Sequence, residues 1–340
     1  MRNKVITFLF CGMLAAGIII GAIMPDKYYS ETEKRTLKQF PQISSDEIFS
    51  GNFGNDIEKY LADQFPGRNG WVTIKTLADR VSGKTESNGV YFAADDYLIE
   101  AHEKLPAKQA KKNIAALKTL SDSLAAQGIM MKVMLVPTAS EILSDKLPAF
   151  APNADQHSVI EYAKKQGLDV VDVTEALSGH RDEYIYYKTD HHWTSLGAYY
   201  AYAEWVRSKG GTPAPLSDWT KCELCEDFRG TTYSKVNYPF APYDTIDAYY
   251  KQESHTVDYN GGDYVTDSIY EGKFLDGSDK YAVFFNSNQS TTKVTGNGEG
   301  KLLIIKDSYA NTFGQFVVDD YAETHLIDMR FFRGKLSDYI

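Results

Sequence analysis

Hydrophobic and polar positions follow two different periods through the middle of the chain. Residues 108–128 place apolar side chains three and four positions apart, which predicts an amphipathic helix that ends at Gly128. The next segment, 130–138, is a short apolar run and predicts a buried strand. The same order returns in residues 156–167, a predicted helix, and 168–173, a predicted strand. Helices and buried strands therefore alternate in this region.

The alternation continues towards the end of the chain. Residues 195–211 predict a third helix, which begins after the N-cap residue Thr194 and stops at Gly210. Residues 301–318 predict a strand that leads into a helix, and residues 324–332 predict another strand. This order indicates an α/β fold, in which a largely parallel sheet is covered by helices on both faces.

The segment between about 211 and 300 has a different pattern of short, aromatic and turn-rich pieces. It predicts a β-rich insertion, or a lobe over the mouth of the sheet. Its tyrosines either stack on sugar rings or pack a small sheet, and the second use is the commoner one.

The N-terminus carries an uncharged apolar run over residues 5–24, directly after Arg2 and Lys4. Twenty residues with a rise of about 1.5 Å span about 30 Å, the thickness of the hydrocarbon core of a bilayer. The basic residues before the run predict a cytoplasmic N-terminus and an exported body. A cleaved signal peptide is the alternative, but the run is long for one, so an uncleaved anchor is favoured.

Three regions follow from these patterns. Residues 1–24 form the anchor or signal peptide, and residues 25–70 form a polar juxtamembrane connector with a short helix near 54–63. Residues 71–340 form the main domain, which contains the β-rich insertion. A hydrophobic content of 43% and a charged content of 24% are typical of a folded globular protein.

Charge and cysteine content narrow the class of function. A net charge of −10, without a basic stripe, argues against a nucleic-acid partner. Cys11 lies in the apolar run, and Cys222 and Cys225 form a C-x-x-C pair. In an exported body this pair forms a local disulfide or stays as two thiols, while a zinc ribbon would need a second pair.

The first candidate for chemistry is a serine at the end of a predicted strand. Asp307, Ser308 and Tyr309 follow the apolar run of residues 302–305, at the point where a helix begins. Ligands bind at the carboxyl ends of strands in open α/β sheets, and a backbone N–H at a helix start stabilises an oxyanion. The sequence therefore predicts Ser308 as a nucleophile, although the G-x-S-x-G elbow is absent.

The second candidate is the cluster Asp190, His191, His192 and Trp193. In an extended segment, side chains at i and i+2 point the same way, so Asp190 would accept a hydrogen bond from the His192 ring. A serine nucleophile needs such a base and such an acid, which gives Asp190, His192 and Ser308 as a triad. His191 would then project to the opposite side as a structural residue, and Trp193 would pack the loop. A metal site at the aspartate and the two histidines is the alternative.

With both motifs in view, "TDHHWT" (189–194) followed by "KDSYANTF" (306–313), the chain resembles the DHHW family. This family is related to the alginate O-acetylation proteins within the SGNH/GDSL hydrolase superfamily. The resemblance extends over most of the exported body and includes four further stretches: "GVYFAADDYLIE", "MLVPTASEIL", "DFRGTTYSK" and "HLIDMRFF". It implies an SGNH-hydrolase-like, flavodoxin-like parallel sheet whose motifs occur in circularly permuted order.

The resemblance also implies roles for individual residues. Ser308 would be the nucleophile, His192 the base and Asp190 the acid that orients it. Asn288 matches a family asparagine, although "FFNSN" (284–288) replaces the two glycines that precede it in the family pattern. The oxyanion or substrate-binding residues would be Asn288, Tyr309 and Arg330.

The expected function is extracytoplasmic O-acyl transfer, of an acetyl group, onto a cell-surface or secreted polysaccharide through an acyl-serine. The alternatives are a carbohydrate O-acetyl esterase with the same triad and a polysaccharide-binding scaffold with a vestigial site. The resemblance implies a membrane-bound O-acyltransferase as acetyl supplier, and no cofactor or metal is expected. The expected location is the bacterial cell surface, anchored by the N-terminal helix.

Overall fold

The computed structural model of the chain describes residues 2–30, 32, 35–251 and 255–340. Its α-helices are α1 (Arg2–Ile23), α2 (Ser45–Phe49), α3 (Asn52–Asp63), α4 (Arg68–Val81), α5 (Ala107–Ala125), α6 (Ala139–Ile142), α7 (His157–Lys165), α8 (Thr174–Gly179), α9 (Ser195–Ser208), α10 (Thr231–Val236) and α11 (Tyr309–Val317). Its strands are β1 (Tyr29–Ser30), β2 (Arg35–Thr36), β3 (Glu86–Ser87), β4 (Val90–Phe92), β5 (Leu98–Glu100), β6 (Thr220–Phe228), β7 (Asp244–Tyr250), β8 (Thr256–Tyr259), β9 (Tyr264–Thr266), β10 (Thr291–Thr295), β11 (Lys301–Lys306) and β12 (Glu323–Asp328).

The chain forms two compact units. The first consists of Met1–Lys84 with Ser234–Pro239, and the second of Thr85–Tyr233 with Phe240–Ile340. The predicted limits of the anchor, the connector and the main domain, at residues 24 and 70, stay predictions.

The first unit contains the apolar N-terminal helix and the short helix predicted near residues 54–63, which is α3. Residues Lys4–Gly21 of α1 are long and apolar enough to cross a membrane. An N-terminal signal sequence has the same length and composition, so the helix fits both interpretations of the apolar run.

The largest sheet of the second unit has five strands in the order β11-β12-β10-β8-β9. Strands β11 and β12 run parallel, with Lys306 opposite Asp328, whereas the other three pairings are antiparallel. This sheet is therefore mixed, where the sequence pattern predicted a largely parallel one. The difference arises because β8, β9 and β10 come from the segment that was predicted as an insertion, and antiparallel hairpins extend the sheet there.

Two predicted strands are present as partly buried chain with little strand pairing. Residues 130–138 and 168–173 meet at one isolated parallel bridge between Val133 and Val170. Two backbone hydrogen bonds support the bridge, from Val133 N to the Asp169 carbonyl (2.9 Å) and from Val171 N to the Val133 carbonyl (2.8 Å). An apolar run reports burial of side chains and carries no information about backbone pairing, so the pattern overestimated the length of both strands.

The helices predicted around these segments are confirmed within a few residues. Helix α9 begins after Thr194, whose hydroxyl accepts a hydrogen bond from Gly197 N (3.3 Å), and the chain leaves it at Gly210 with a φ of +79°. Helix α11 packs against α9 in a core of large aromatic side chains. This core includes Tyr186, Trp193, Tyr202 and Phe316. Because α9 follows the Asp-His-His cluster and α11 follows Ser308, this packing brings the two motifs together.

Candidate active site

The cluster that begins at Asp190 lies in a tight loop. An antiparallel bridge between Tyr186 and Trp193 closes the loop, and Tyr187 N donates to the His192 carbonyl (3.2 Å). The prediction of an extended segment is therefore wrong here. The side chain of Asp190 instead accepts the backbone N–H of His192 (3.0 Å), which is the hydrogen bond of an Asx turn. This turn, and not strand geometry, puts Asp190 and His192 on the same side.

Ser308 lies between the end of β11 and the first turn of α11, as the sequence pattern predicted. Its backbone is already helical, with φ −71° and ψ −19°. The carboxylate of Asp307 accepts the backbone N–H of Tyr309 (2.9 Å) and so fixes the start of the helix. The serine hydroxyl is thereby presented at the carboxyl edge of the parallel strand pair.

Three side chains form a hydrogen-bonded series. His192 Nε2 lies 2.7 Å from Ser308 Oγ, and His192 Nδ1 lies 2.5 Å from Asp190 Oδ1. Asp190 and His192 are 2% and 5% exposed, and Ser308 is half-buried. A buried carboxylate at Nδ1 holds the imidazole in the tautomer whose Nε2 accepts a proton from the serine hydroxyl.

The second oxygen of Asp190 is held by the segment 230–231. Asp190 Oδ2 accepts hydrogen bonds from Thr231 N (2.7 Å) and Thr231 Oγ1 (3.0 Å). Gly230 packs so closely that a Cβ there would lie 2.1 Å from Asp190 Oδ2. The stretch "DFRGTTYSK" thus supplies the residues that fix the acid, a role that sequence reasoning missed because it depends on a contact across 40 positions.

Behind the loop, a second buried carboxylate holds the residues that precede Asp190. Asp244 accepts hydrogen bonds from Lys188 N (2.8 Å), Thr189 N (2.7 Å) and Thr189 Oγ1 (2.6 Å), and also from the hydroxyl of Tyr184. Asp244 is buried, and this desolvation raises the pKa of its carboxyl group. Asp244 therefore has a structural role, because its hydrogen bonds fix the backbone of Lys188 and Thr189, which leads directly into Asp190.

Tyr281 is the other residue that sequence reasoning missed. Its ring stacks on the His192 imidazole, with centroids 4.0 Å apart and 8° between the planes. Its hydroxyl donates to the Ser308 carbonyl (3.0 Å), and burial raises the pKa of the phenol far above its ordinary value. One tyrosine therefore contacts both the base and the nucleophile's backbone, although it lies in the aromatic segment that had no assigned function.

Of the predictions for His191 and Trp193, the first is wrong and the second is confirmed. The prediction that His191 points away from His192 is wrong, because the two rings lie 3.8 Å apart and His191 Nδ1 lies 2.5 Å from Thr231 Oγ1. The tight turn brings both imidazoles to the same side. Trp193 is a packing residue, as expected: it is 1% exposed, and its Nε1 donates to the Tyr309 carbonyl (3.0 Å) and Thr312 Oγ1 (2.7 Å).

Asn288 follows three residues in the left-handed region. Phe285, Asn286 and Ser287 have φ values of +53°, +53° and +70°. Glycine adopts this conformation without strain, asparagine tolerates it, and serine does so at a cost. The segment thus keeps a backbone suited to the two glycines of the family pattern, and Asn288 Oδ1 accepts from Lys306 Nζ (3.3 Å) and Asn311 Nδ2 (3.4 Å).

Tyr309 and Arg330 are both held by protein groups. The hydroxyl of Tyr309 donates to the His191 carbonyl, and burial raises the pKa of this phenol well above its ordinary value. Arg330 forms a double hydrogen bond to Asp328, through Nε (2.9 Å) and a terminal nitrogen (2.6 Å), and half of its side chain is exposed. A contact of either residue with an acyl oxygen or a sugar stays a prediction.

The same side chains contain a possible donor set for a metal ion, since ligand atoms of Asp190, His191 and His192 lie within 4.8 Å of one another. An ion there would compete with Ser308 and Asp190 for the two nitrogens of His192. A second group, His157, Glu161 and Asp172, is already bridged by Lys164, whose Nζ lies 2.9 Å from Glu161 and 2.7 Å from Asp172. The donors present fit hydrogen bonding better than metal binding at both places.

A small cleft opens beside His191. The stretch "PTASEI" contributes Thr138, Ala139 and Ser140 to its lining, and Asp190 and His191 line it as well. This stretch therefore lies beside Asp190 and His191.

Comparison with known proteins identifies the fold. Residues 90–210 match the family model described as the SGNH hydrolase-like domain of the acetyltransferase AlgX, a range that contains Asp190 and His192 but not Ser308. No sequence among curated proteins matches the chain.

Solved structures extend the similarity to most of the chain. A DHHW family protein from Eubacterium siraeum has a TM-score of 0.62 and 24% identity, over 75% of this chain and 87% of that chain. Bacillus cereus PatB1 has a TM-score of 0.60 and 21% identity, over 72% of this chain and 90% of that chain. A structure of PatB1 with a sulfonyl adduct has a TM-score of 0.61 and 19% identity, over 74% and 89%. The chain therefore has an SGNH hydrolase-like fold, and its resemblance to the DHHW family and the alginate O-acetylation proteins is confirmed.

Proposed function

We propose that this chain is an extracytoplasmic O-acyltransferase that moves an acetyl group onto a polysaccharide through an acyl-serine at Ser308. The observation that carries the proposal is the hydrogen-bonded series from Ser308 Oγ to His192 Nε2 (2.7 Å) and from His192 Nδ1 to Asp190 Oδ1 (2.5 Å). The match of residues 90–210 to the SGNH hydrolase-like domain of the acetyltransferase AlgX supports an acyl-transfer function.

In the first half-reaction, Ser308 Oγ attacks the carbonyl carbon of an acyl ester and forms a new C–O bond. The serine proton moves to His192 Nε2, and Asp190 stabilises the resulting imidazolium through Nδ1–H. The negative charge on the carbonyl oxygen needs N–H donors, for which Asn288 and the backbone at the start of α11 are the candidates. When the donor's C–O bond breaks, the leaving alkoxide takes the proton from His192.

In the second half-reaction, a sugar hydroxyl attacks the acyl-serine while His192 Nε2 accepts its proton. The ester bond to Ser308 Oγ then breaks, and the proton returns to the serine. Water in place of the sugar gives an esterase with the same residues. The two reactions differ only in which hydroxyl reaches the acyl-enzyme.

The finer parts of the proposal concern location and partners. The apolar helix α1 supports an uncleaved anchor that keeps the body outside the cytoplasm at the bacterial surface. A membrane-bound O-acyltransferase is the proposed acetyl supplier, and an extracellular polysaccharide is the proposed acceptor. The order of the motifs, with Asp190 and His192 before Ser308, fits the proposed circular permutation, and residues 211–300 are the proposed β-rich insertion. Tyr309 and Arg330 complete the proposed substrate-binding residues.

The test uses the full chain in detergent with p-nitrophenyl acetate, with and without a polysaccharide acceptor. Intact-mass analysis is expected to show a gain of about 42 Da, the mass of an acetyl group in place of a proton, on Ser308. The Ser308→Ala variant should lack this adduct, whereas a Ser287→Ala control should keep it. A sulfonyl adduct is recorded for PatB1, and we expect a sulfonyl fluoride to label Ser308 in the same way.

The outcomes separate the possible functions. Faster loss of the acetyl group with sugar than with water supports the transferase, and equal rates support the esterase. Loss of turnover on addition of a chelator, with Ser308 never labelled, would replace the triad by metal-assisted hydrolysis. A folded protein with no adduct and no turnover would leave the polysaccharide-binding scaffold as the better explanation.

A further inference from the structure

A buried lysine lies two residues before Ser308. Lys306 is the last residue of β11, and its side chain is 2% exposed. Its Nζ donates to Asn311 Oδ1 (2.7 Å), to Asn288 Oδ1 (3.3 Å) and to the carbonyl of Asp307 (3.4 Å). All three hydrogens of the ammonium thus have acceptors, and two of these are side-chain amides.

Ion pairing compensates the burial of this lysine only in part. The nearest carboxylate is Asp328, whose Oδ2 lies 4.0 Å from Lys306 Nζ. Arg330 already donates hydrogen bonds to Asp328 from its own backbone N–H (3.0 Å) and from its guanidinium. Burial of the ammonium is therefore only partly compensated, and desolvation lowers the pKa of Lys306 to about 8.

The ammonium decides which way the Asn288 amide faces. It has donors and no acceptor, so the oxygen and not the nitrogen of each amide must point at it. Asn311 Nδ2 adds a second donor to Asn288 Oδ1 (3.4 Å). With its oxygen fixed by two donors, Asn288 must turn Nδ2 to the other side. Among the residues that the structure describes, none accepts a hydrogen bond from Asn288 Nδ2, and the residue is partly exposed.

The same network includes the backbone of the nucleophile. Asn311 N donates to the Ser308 carbonyl (3.2 Å), and Lys306 binds the carbonyl of Asp307, the residue before Ser308. Asn288 is thus tied through Lys306 and Asn311 to the turn that presents Ser308. The two N–H groups of its amide are the donors that this network leaves for a ligand.

We infer that Lys306 is a positioning residue, which holds the Asn288 amide with its N–H groups facing the acyl oxygen at Ser308. The inference rests on the proposed function and adds a residue to it. Lys306 does not touch the substrate; it acts through Asn288. Lys306→Met would keep the apolar stem and leave Asn288 Oδ1 with only the longer hydrogen bond from Asn311 Nδ2 (3.4 Å), so the orientation of the amide would no longer be fixed by a cation.

The test is a double-mutant cycle with the full chain and p-nitrophenyl acetate. Asn288→Ala and Lys306→Met should each lower kcat by about 100-fold, the usual effect of one lost oxyanion donor, with KM changed by less than about 2-fold. In the double variant kcat should fall no further than in Asn288→Ala alone. Lys306→Arg keeps a cation and should retain more activity than Lys306→Met.

The matched control is Lys301→Met, at the other end of β11. Lys301 is 75% exposed and lies 3.3 Å from Glu323, far along the strand from Ser308, so kcat should stay as in the unchanged chain. If Lys306→Met does not fold, Asn288→Asp tests the same point, because its carboxylate would pair with Lys306 and offer no donor. Full activity of Asn288→Asp would overturn the inference.

The experiments distinguish a failure of the inference about Lys306 from a failure of the proposed function. If Ser308 of the unchanged chain forms an acetyl adduct but the losses from Asn288→Ala and Lys306→Met multiply, Lys306 does not act through Asn288 and the inference falls alone. Unchanged kcat in Lys306→Met has the same meaning. If Ser308 forms no adduct in the unchanged chain, the proposed function and the inference fall together.

Discussion

The imidazole of His192 and the phenol ring of Tyr281 lie face to face, 4.0 Å apart and within 8° of parallel. The two residues are separated by almost 90 positions, and the intervening chain contributes β6–β9 before it returns to the site. Tyr281 also donates its hydroxyl to the Ser308 carbonyl and lies close to Thr312 Oγ1 (3.3 Å). The base is therefore held between Asp190 at one edge and an aromatic ring at one face.

Removal of the Tyr281 ring should lower activity more than removal of its hydroxyl. Tyr281→Phe keeps the stack and loses one hydrogen bond of about 1 kcal/mol, so kcat/KM should fall by no more than about 5-fold. Tyr281→Ala also loses a ring contact of about 0.5–1.5 kcal/mol and leaves the imidazole free to turn, so a loss of about 100-fold is expected. Ester turnover measures both. Equal losses in the two variants would show that the hydroxyl alone matters.

Gly230 should not tolerate a side chain. An alanine Cβ would lie 2.1 Å from Asp190 Oδ2 and 2.2 Å from its Cβ, so either Asp190 or the segment 229–231 must move. Such overpacking costs about 1–3 kcal/mol of stability, and a displaced acid leaves His192 without its orienting partner, with a loss of kcat of about 10²-fold or more. Thermal unfolding and ester turnover measure the two effects.

The control for Gly230→Ala is Gly179→Ala. Gly179 ends α8, and a Cβ there would meet nothing within 4 Å, so activity and the melting temperature should be nearly unchanged. A Gly230→Ala variant that behaves like this control would mean that Gly230 does not pack closely against Asp190.

Lys306 should give stability a distinct dependence on pH. Its pKa is about 8 in the folded chain and near the ordinary 10.5 when unfolded. Between these values the unfolded chain binds more protons, so the free energy of unfolding rises with pH, and the penalty of the buried ammonium is present below about pH 8 and relieved above it. Relative to Lys306→Met, the unchanged chain should gain about 2 kcal/mol between pH 8 and about pH 9.5.

Chemical denaturation at several pH values measures this difference, and the comparison with Lys306→Met removes the contribution of the tyrosines. A difference between the two proteins that stays constant from pH 7 to about pH 9.5 would show that Lys306 titrates like an exposed lysine.

The sequence by itself determined which residues carry the candidate chemistry. Ser308 follows an apolar strand, and Asp190 and His192 precede a helix with Thr194 as its N-cap. Both are local patterns whose physical basis is turn and cap geometry. The sequence also predicted the helices α5, α7, α9 and α11, because a 3.6-residue period of apolar side chains is visible within one segment.

Only the tertiary structure decided how these residues are held. Five features join distant segments or depend on one turn. They are the mixed sheet, the Asx turn at Asp190, the stack of Tyr281 on His192, the support of Asp190 by Gly230 and Thr231, and the hydrogen bond from Lys306 to Asn288. No period along the chain encodes such contacts, because hydrogen bonds and close packing depend on which atoms meet in space. The residues of the candidate site could therefore be identified from the sequence, whereas the orientations of their side chains were set by the fold.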